Sequence, residues 1–217
     1  MLSGISSMLL RIYQATLNIK MIGMENLLWT QAKGNNYILT LWHTFVDGAI
    51  FAFHSRNILI YSDHPRNRKY EKSLAHFFRE IGIKTLRSFD YNILDASLDK
   101  QSAGIIRFIH NIKSGSPALV APDGPSGPIY KAKPGSVYIA SKTNAVILPV
   151  GFAFSDKISG PNWDDFALPL PFSQLVVNIG KPIMVPFKCS SEEQAQYTKN
   201  LEDELDRLTF EAQTYIT

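Results

Sequence analysis

The chain has 217 residues, of which 45% are hydrophobic and 19% charged, and its formal net charge is +3. This length fits one domain, or one domain with a terminal appendage, and the composition can supply a core of ordinary size. The charge is too small to indicate nucleic-acid binding, although a mildly basic protein is compatible with an anionic lipid surface. A single cysteine, Cys189, excludes an intrachain disulfide and a cysteine-based metal site and favours a cytosol-facing location.

The first twenty residues have the pattern of an amphipathic helix. Apolar side chains recur at helical spacing, at Leu2, Ile5, Met8, Leu9, Ile12, Tyr13 and Leu17. Residues 1–20 are therefore predicted to form a helix that associates with a membrane, or one that packs on a domain formed by residues 21–217. The pattern differs from that of a signal peptide, and every apolar stretch is too short to span a bilayer.

Strands and helices are predicted to alternate through the rest of the chain. Short apolar runs predict strands over residues 18–22, 37–42, 57–61, 84–87, 118–121, 145–154 and 175–179. Helices are predicted over residues 44–54, 69–81, 96–113 and 136–142, and Ser190 to Glu193 has the spacing of a capping box at the start of a C-terminal helix. This alternation predicts an α/β fold, a single domain with a largely parallel central sheet flanked by helices.

Two polar residues follow the strand predicted over residues 37–42. His43 and Asp47 are four residues apart, so on a helix they would share one face and the carboxylate could meet an imidazole nitrogen. A histidine oriented by a carboxylate is typical equipment for taking a proton from an alcohol. The pair also fits a core histidine followed by an acidic residue in the first turn of a helix.

A turn rich in glycine and proline follows the strand predicted over residues 118–121. It reads Asp123-Gly124-Pro125-Ser126-Gly127-Pro128, a composition that imposes a defined backbone path. Such a turn at the carboxyl end of a strand is a usual place for an anionic ligand, and Lys131 and Lys133 could meet a phosphate. Arg87, at the end of an earlier strand, could bind phosphate through its forked donors. An ordinary strand-to-helix connection with surface cations is the alternative.

The order of these blocks resembles that of the lysophospholipid acyltransferase family. The shared blocks are a strand ending in Trp42-His43, a Gly-x-x-x-x-Arg segment ending at Arg87, Pro122-Asp123-Gly124-Pro125, and an apolar strand with Pro149. The similarity runs from about Ile12 to Pro186 and includes the segment Trp163-Asp164-Asp165-Phe166. A short bacterial branch of the family, often labelled as a domain of unknown function, has the most similar pattern.

The resemblance implies a glycerolipid acyltransferase-like fold and acyl transfer from acyl-CoA or acyl carrier protein to a hydroxyl of a lysophospholipid-like acceptor. His43 would be the general base and Asp47 its candidate partner. The implied substrate-binding residues are Arg87, Asp123, Gly124, Pro125, Ser126, Gly127, Lys131 and Lys133. The resemblance also implies a peripheral protein at the cytoplasmic face of the inner membrane, with no bound cofactor. The small net charge predicts no nucleic-acid partner, and the spacing of the histidines predicts no metal.

Two positions depart from the family pattern. Asp47 follows His43 after three residues instead of four, which turns its side chain by about 100° on a helix. Ser126 stands where the family has an arginine. A catalytically weak lipid-binding or membrane-associated protein with the same fold is therefore the alternative function. A metal-dependent phosphoesterase using His43, Asp47, Asp63 and His64 is another, although these residues lack a known ligand spacing.

Overall fold

A computed structural model describes residues 2–53, 56, 58–62, 83–87, 100–124, 126–161 and 163–217. Within these ranges the main sheet contains β1 (Asn18–Ile22), β2 (Tyr37–Thr40), β3 (Ile58–Ser62), β4 (Ile83–Arg87), β5 (Ala118–Val120), β6 (Val146–Phe154) and β9 (Gln174–Ile179). A separate two-stranded sheet pairs β7 (Lys157–Ser159) with β8 (Ala167–Pro169). The helices are α1 (Leu2–Ala15), α2 (Met24–Ala32), α3 (Val46–Ala52), α4 (Lys100–Lys113), α5 (Gly135–Thr143) and α6 (Ser191–Gln213).

The strands of the main sheet lie in the order β1-β9-β6-β2-β5-β3-β4. Every neighbouring pair is parallel except β6 and β9, which are antiparallel. Strand β2 is buried along its whole length, as expected for a central strand covered on both faces. These features confirm the predicted fold, a single α/β domain with a mixed, mostly parallel sheet flanked by helices.

The C-terminal helix α6 packs on β6 and β9. Its contacts come from apolar residues three or four apart, Leu201, Leu205 and Leu208, all of which are buried. The predicted capping box is present: the Ser190 hydroxyl accepts from the Glu193 amide at 3.2 Å, and the Glu193 carboxylate accepts from the Ser190 amide at 2.7 Å.

The carboxyl ends of the parallel strands lie at one edge of the sheet, and several candidate site residues predicted from the sequence lie at this edge. His43 follows β2, the turn containing Asp123 follows the neighbouring β5, and Arg87 is the last residue of β4. In open α/β sheets this carboxyl edge is where ligands bind. The side chain of Arg87 and the helix predicted over residues 69–81 lie outside the described residues.

Three local features differ from the sequence predictions. The helix expected over residues 44–54 is divided into a 3₁₀ turn, His43–Phe45, and α3. Helix α2 and the β7–β8 sheet were not predicted. Of the helices that the structure describes, none is both long enough and apolar enough to cross a bilayer.

Candidate active site

His43 opens the 3₁₀ turn that follows β2. Trp42 and Phe45, three residues apart, are 1% and 6% exposed, and the Phe45 amide donates to the Trp42 carbonyl at 2.9 Å. A 3₁₀ turn places residues i and i+3 on the same side, so it buries both aromatic rings together. The side chain of His43 points elsewhere and remains 34% exposed. The imidazole is therefore held rigidly by a buried turn but is accessible to a ligand.

The imidazole is paired with a carboxylate from a distant part of the chain. Nδ1 of His43 lies 2.8 Å from Oδ2 of Asp164, which belongs to the connection between β7 and β8. Asp164 is only 7% exposed. The sequence pattern assigned no role to Asp164, although the Trp163-Asp164 segment is part of the family resemblance. A buried carboxylate on one ring nitrogen is the arrangement that orients a histidine base.

Asp47, the partner predicted from sequence, does not make this hydrogen bond. Residues i and i+4 differ in direction by about 40° on an α-helix, but each residue of a 3₁₀ turn rotates the chain by about 120°. The turn at His43–Phe45 therefore removes the shared face on which the prediction depended. Burial raises the pKa of Asp47; the charge of His43 opposes this shift, and the charge of Asp164 adds to it. A catalytic role for Asp47 stays a prediction.

Asp123 is fully buried and fixes the backbone of the site. Its Oδ1 accepts from the His43 amide at 3.0 Å, and its Oδ2 accepts from the Tyr130 amide at 3.3 Å. Burial raises the pKa of Asp123, whereas these amide hydrogen bonds lower it. Both oxygens are occupied by the protein, so the geometry makes Asp123 a clamp between the 3₁₀ turn and the glycine–proline turn. Its predicted contact with substrate is untested.

Gly124 and Gly127 give the glycine–proline turn its close fit to the site. A Cβ at Gly124 would lie 3.0 Å from Cδ2 and 3.8 Å from Nε2 of His43. A Cβ at Gly127, whose φ is +69°, would lie 2.7 Å from Cε3 of Trp163. The Trp163 ring in turn lies 5.1 Å from the imidazole ring, measured between centroids. Gly124 and Trp163 are thus walls of the space around His43.

The two lysines that follow the turn have different surroundings. The Lys133 ammonium donates to the Gly124 carbonyl at 3.3 Å, which brings a cation to the turn that borders His43. The Lys131 ammonium pairs with Glu202 of α6 at 3.2 Å. The Ser126 side chain is exposed, and Pro125 lies outside the described residues. Of the predicted phosphate-binding cations, Lys133 is the one that the described contacts bring to the glycine–proline turn beside His43.

A mostly apolar cavity of about 310 Å³ lies beside the 3₁₀ turn. Trp42, Phe45 and Tyr130 line it, whereas His43 and Asp164 are not among its lining residues. Its remaining walls come from the end of β6, its connection to β7, and α6: Phe152, Ala153, Phe154, Lys157, Asp206, Thr209, Phe210 and Gln213. The volume is at the lower end of the range of small-molecule pockets.

The metal hypothesis gains no support from the residues that the structure describes, since they contain no group of three His, Cys, Asp or Glu side chains placed to hold an ion. Asp63 and His64, which that hypothesis requires, lie outside the described residues.

Comparison with known proteins shows the fold. No family model matches the chain. A protein from Rickettsia prowazekii (strain Madrid E), described as uncharacterized, is 26% identical over 175 residues, which are 79% of this chain and 72% of that protein. The crystal structure of the 1-acyl-sn-glycerophosphate (LPA) acyltransferase PlsC from Thermotoga maritima is similar with a TM-score of 0.58 and 19% identity, over 89% of this chain and 72% of that one. The chain therefore has the fold of that acyltransferase.

Proposed function

We propose that this protein is an acyltransferase that moves a fatty acyl group from a thioester donor to a hydroxyl of a lysophospholipid-like acceptor. The observation that carries the proposal is the His43–Asp164 pair, held at the carboxyl edge of a sheet in the fold of an LPA acyltransferase. A partly exposed imidazole bonded to a buried carboxylate is suited to general-base catalysis on an alcohol. The donor is acyl-CoA or acyl carrier protein, and His43 is the base.

In each turnover His43 accepts one proton from the acceptor hydroxyl and gives one proton to the leaving thiolate. Nε2 of His43 accepts the proton of the acceptor hydroxyl while its oxygen attacks the thioester carbonyl carbon, which forms a tetrahedral oxyanion. Collapse of this intermediate re-forms the carbonyl and breaks the C–S bond. The thiolate then accepts the proton from the imidazolium. The products are the ester and the free thiol, and His43 returns to its neutral form.

Lys133 supplies the positive charge in this proposal. Its ammonium lies at the Gly124 carbonyl, in the turn that borders the imidazole, and an acceptor phosphate or the oxyanion is the anion it would meet. Because Ser126 replaces the arginine of the family pattern, this binding would be by a point charge instead of a two-pronged donor.

The acyl chain is assigned to the apolar cavity beside the site. Trp42 directly precedes His43, and the Tyr130 amide is held by the same Asp123 carboxylate that holds the His43 amide, so two walls of the cavity are fixed relative to the base. Transfer of methylene groups from water into such a cavity contributes about 0.8 kcal/mol each. This gain would make longer acyl donors bind more tightly until the cavity is full.

Helix α1 is proposed to rest on the lipid surface. Met8, Leu9 and Ile12 are each more than half exposed, as is Phe172 in the turn before β9. Another part of the helix is docked: the Tyr13 hydroxyl donates to the carbonyl of Pro169, and the Gln14 amide donates to the carbonyl of Phe51 at 2.9 Å. An amphipathic helix that is docked in part and exposes apolar side chains suits the cytoplasmic face of the inner membrane.

Incubation with a panel of lysolipids, each with acyl-CoA and with acylated carrier protein, tests the proposal by mass spectrometry. An ester product with release of one thiol per ester is expected for at least one combination. Lipid association without an ester product from any donor would contradict the proposal and favour the lipid-binding alternative.

A further inference from the structure

The carboxylate that is hydrogen-bonded to His43 belongs to a residue to which the sequence pattern assigned no role. We propose that Asp164, instead of Asp47, orients the imidazole of His43 and fixes its tautomer. The proposal rests on the proposed function only where it predicts that Asp164 affects the rate of acyl transfer. The tautomer of His43 is a property of the free protein and can be measured whether or not acyl transfer is found.

Asp164 is fixed by a second contact to the same 3₁₀ turn. Its backbone carbonyl accepts from the Thr44 hydroxyl at 2.5 Å, and Thr44 is buried and directly follows His43. The strand that follows, β8, packs against the 3₁₀ turn and α3. The main chain and the side chain of Asp164 therefore both contact the turn that carries the imidazole, which keeps the carboxylate within hydrogen-bonding distance of the ring.

The hydrogen bonding of Asp164 differs from that of Asp123, which holds two backbone amides. Both oxygens of Asp123 accept backbone amides. In Asp164, Oδ2 meets the imidazole, and Oδ1 is buried with no hydrogen-bond partner among the described residues. A buried oxygen left unsatisfied reduces stability, so a residue retained for folding alone would be expected to have both oxygens satisfied. Contact with the imidazole therefore explains why a carboxylate is buried at this position better than a role in folding alone does.

The contact fixes which ring nitrogen acts as the base. An ionised carboxylate only accepts hydrogen bonds, so Nδ1 of His43 carries the hydrogen and Nε2 carries the lone pair. Nε2 is the ring nitrogen on the side of Gly124, where the glycine–proline turn borders the site. Once the acceptor proton reaches Nε2, the carboxylate of Asp164 stabilises the imidazolium.

The first measurement uses the unmodified protein. Nitrogen-15 NMR of the five histidines, with His43 assigned by the signal lost in His43→Ala, reports which nitrogen of each neutral ring carries hydrogen. We expect the Nδ1–H tautomer for neutral His43. An Nε2–H tautomer in the wild-type protein would overturn the proposal without any need for a variant to fold.

The second measurement compares three substitutions. In Asp164→Asn the amide group can donate to Nδ1, so we expect the Nε2–H tautomer and a fall in kcat of up to about 10⁴-fold, the size found when an asparagine replaces the aspartate of a serine-protease triad. Asp165→Asn is the matched control, because it removes the same charge from the next, exposed residue. Asp47→Asn tests the rival partner, and we expect it to keep the Nδ1–H tautomer.

The two proposals fail in different ways. A wild-type protein that shows the Nδ1–H tautomer but transfers no acyl group contradicts the proposed function and leaves Asp164 as the partner of His43. A folded Asp164→Asn protein with the wild-type tautomer and turnover overturns the role of Asp164. Loss of the Nδ1–H tautomer in Asp47→Asn would return that role to Asp47.

Discussion

Gly124→Ala is expected to impair the reaction while leaving the fold intact. The added Cβ would lie 3.0 Å from Cδ2 of His43, whereas carbon atoms pack best at about 3.5–4.0 Å, so the ring must retreat by roughly 0.5–1 Å. The ring can move only away from Gly124. Because Nδ1 lies on the side of the ring away from Gly124, such a shift moves the imidazole against Asp164 and distorts the 2.8 Å contact between Nδ1 and Oδ2.

We expect this substitution to lower kcat by roughly 10- to 100-fold, because a misplacement of about 1 Å can cost 10²-fold in rate. The KM for the thioester donor should change little, since the cavity walls are untouched. The backbone at Gly124 is not left-handed, so the free energy of unfolding should change by less than about 1 kcal/mol. Steady-state kinetics of ester formation and thermal unfolding measure the two effects separately.

Gly135→Ala is the matched control, because a Cβ there meets nothing within 4 Å and its backbone is not left-handed either. Turnover of Gly124→Ala equal to that of the wild type would refute the claim that this glycine sets the position of His43. An equal loss of turnover in Gly135→Ala would refute it as well, because the effect would then not come from contact with the imidazole.

Three further predictions concern stability and chain length. Gly127→Ala should lower the free energy of unfolding by at least about 1–2 kcal/mol, because its φ is +69° and the new Cβ would contact Trp163; denaturant unfolding that matches the wild type would contradict this. Burial raises the pKa of Asp47, so its ionised form destabilises the folded protein at neutral pH, and this penalty disappears as the pH falls through the raised pKa toward the ordinary value. Asp47→Asn should therefore be more stable than the wild type at pH 7, with an advantage that shrinks as the pH falls; an advantage independent of pH would argue against this origin. Thr209→Trp should fill the apolar cavity and raise the KM for long-chain but not short-chain donors, and an equal change for all chain lengths would exclude the cavity as the acyl site.

The fold could be predicted because its strands are marked locally. Buried parallel strands appear as continuous apolar runs, and residues 37–40 and 146–154 are runs of this kind. The β7–β8 sheet could not be found in the same way. Its strands have three residues each, which is too short for a periodic pattern to stand out, and the residues of β7 are all exposed. The connection that carries Asp164 therefore has no recognisable structural context in the sequence.

The site could be predicted only as far as local spacing allowed. The sequence pointed to His43 as the base and placed it at the same sheet edge as the turn of Asp123. It paired His43 with Asp47 because four residues span one turn of an α-helix, but burial of Trp42 and Phe45 selects a 3₁₀ turn instead. The hydrogen-bonded carboxylate comes from 121 residues away, a separation that no periodicity in a single sequence reveals.

The central claim is that His43 takes the proton of the acceptor hydroxyl. Its most direct test is the rate of ester formation and thiol release by the wild type and by His43→Ala, measured with the donor and acceptor that the panel identifies. We predict one thiol per ester in the wild type and loss of both products in the folded variant. Ester formation by His43→Ala at the wild-type rate would contradict the account.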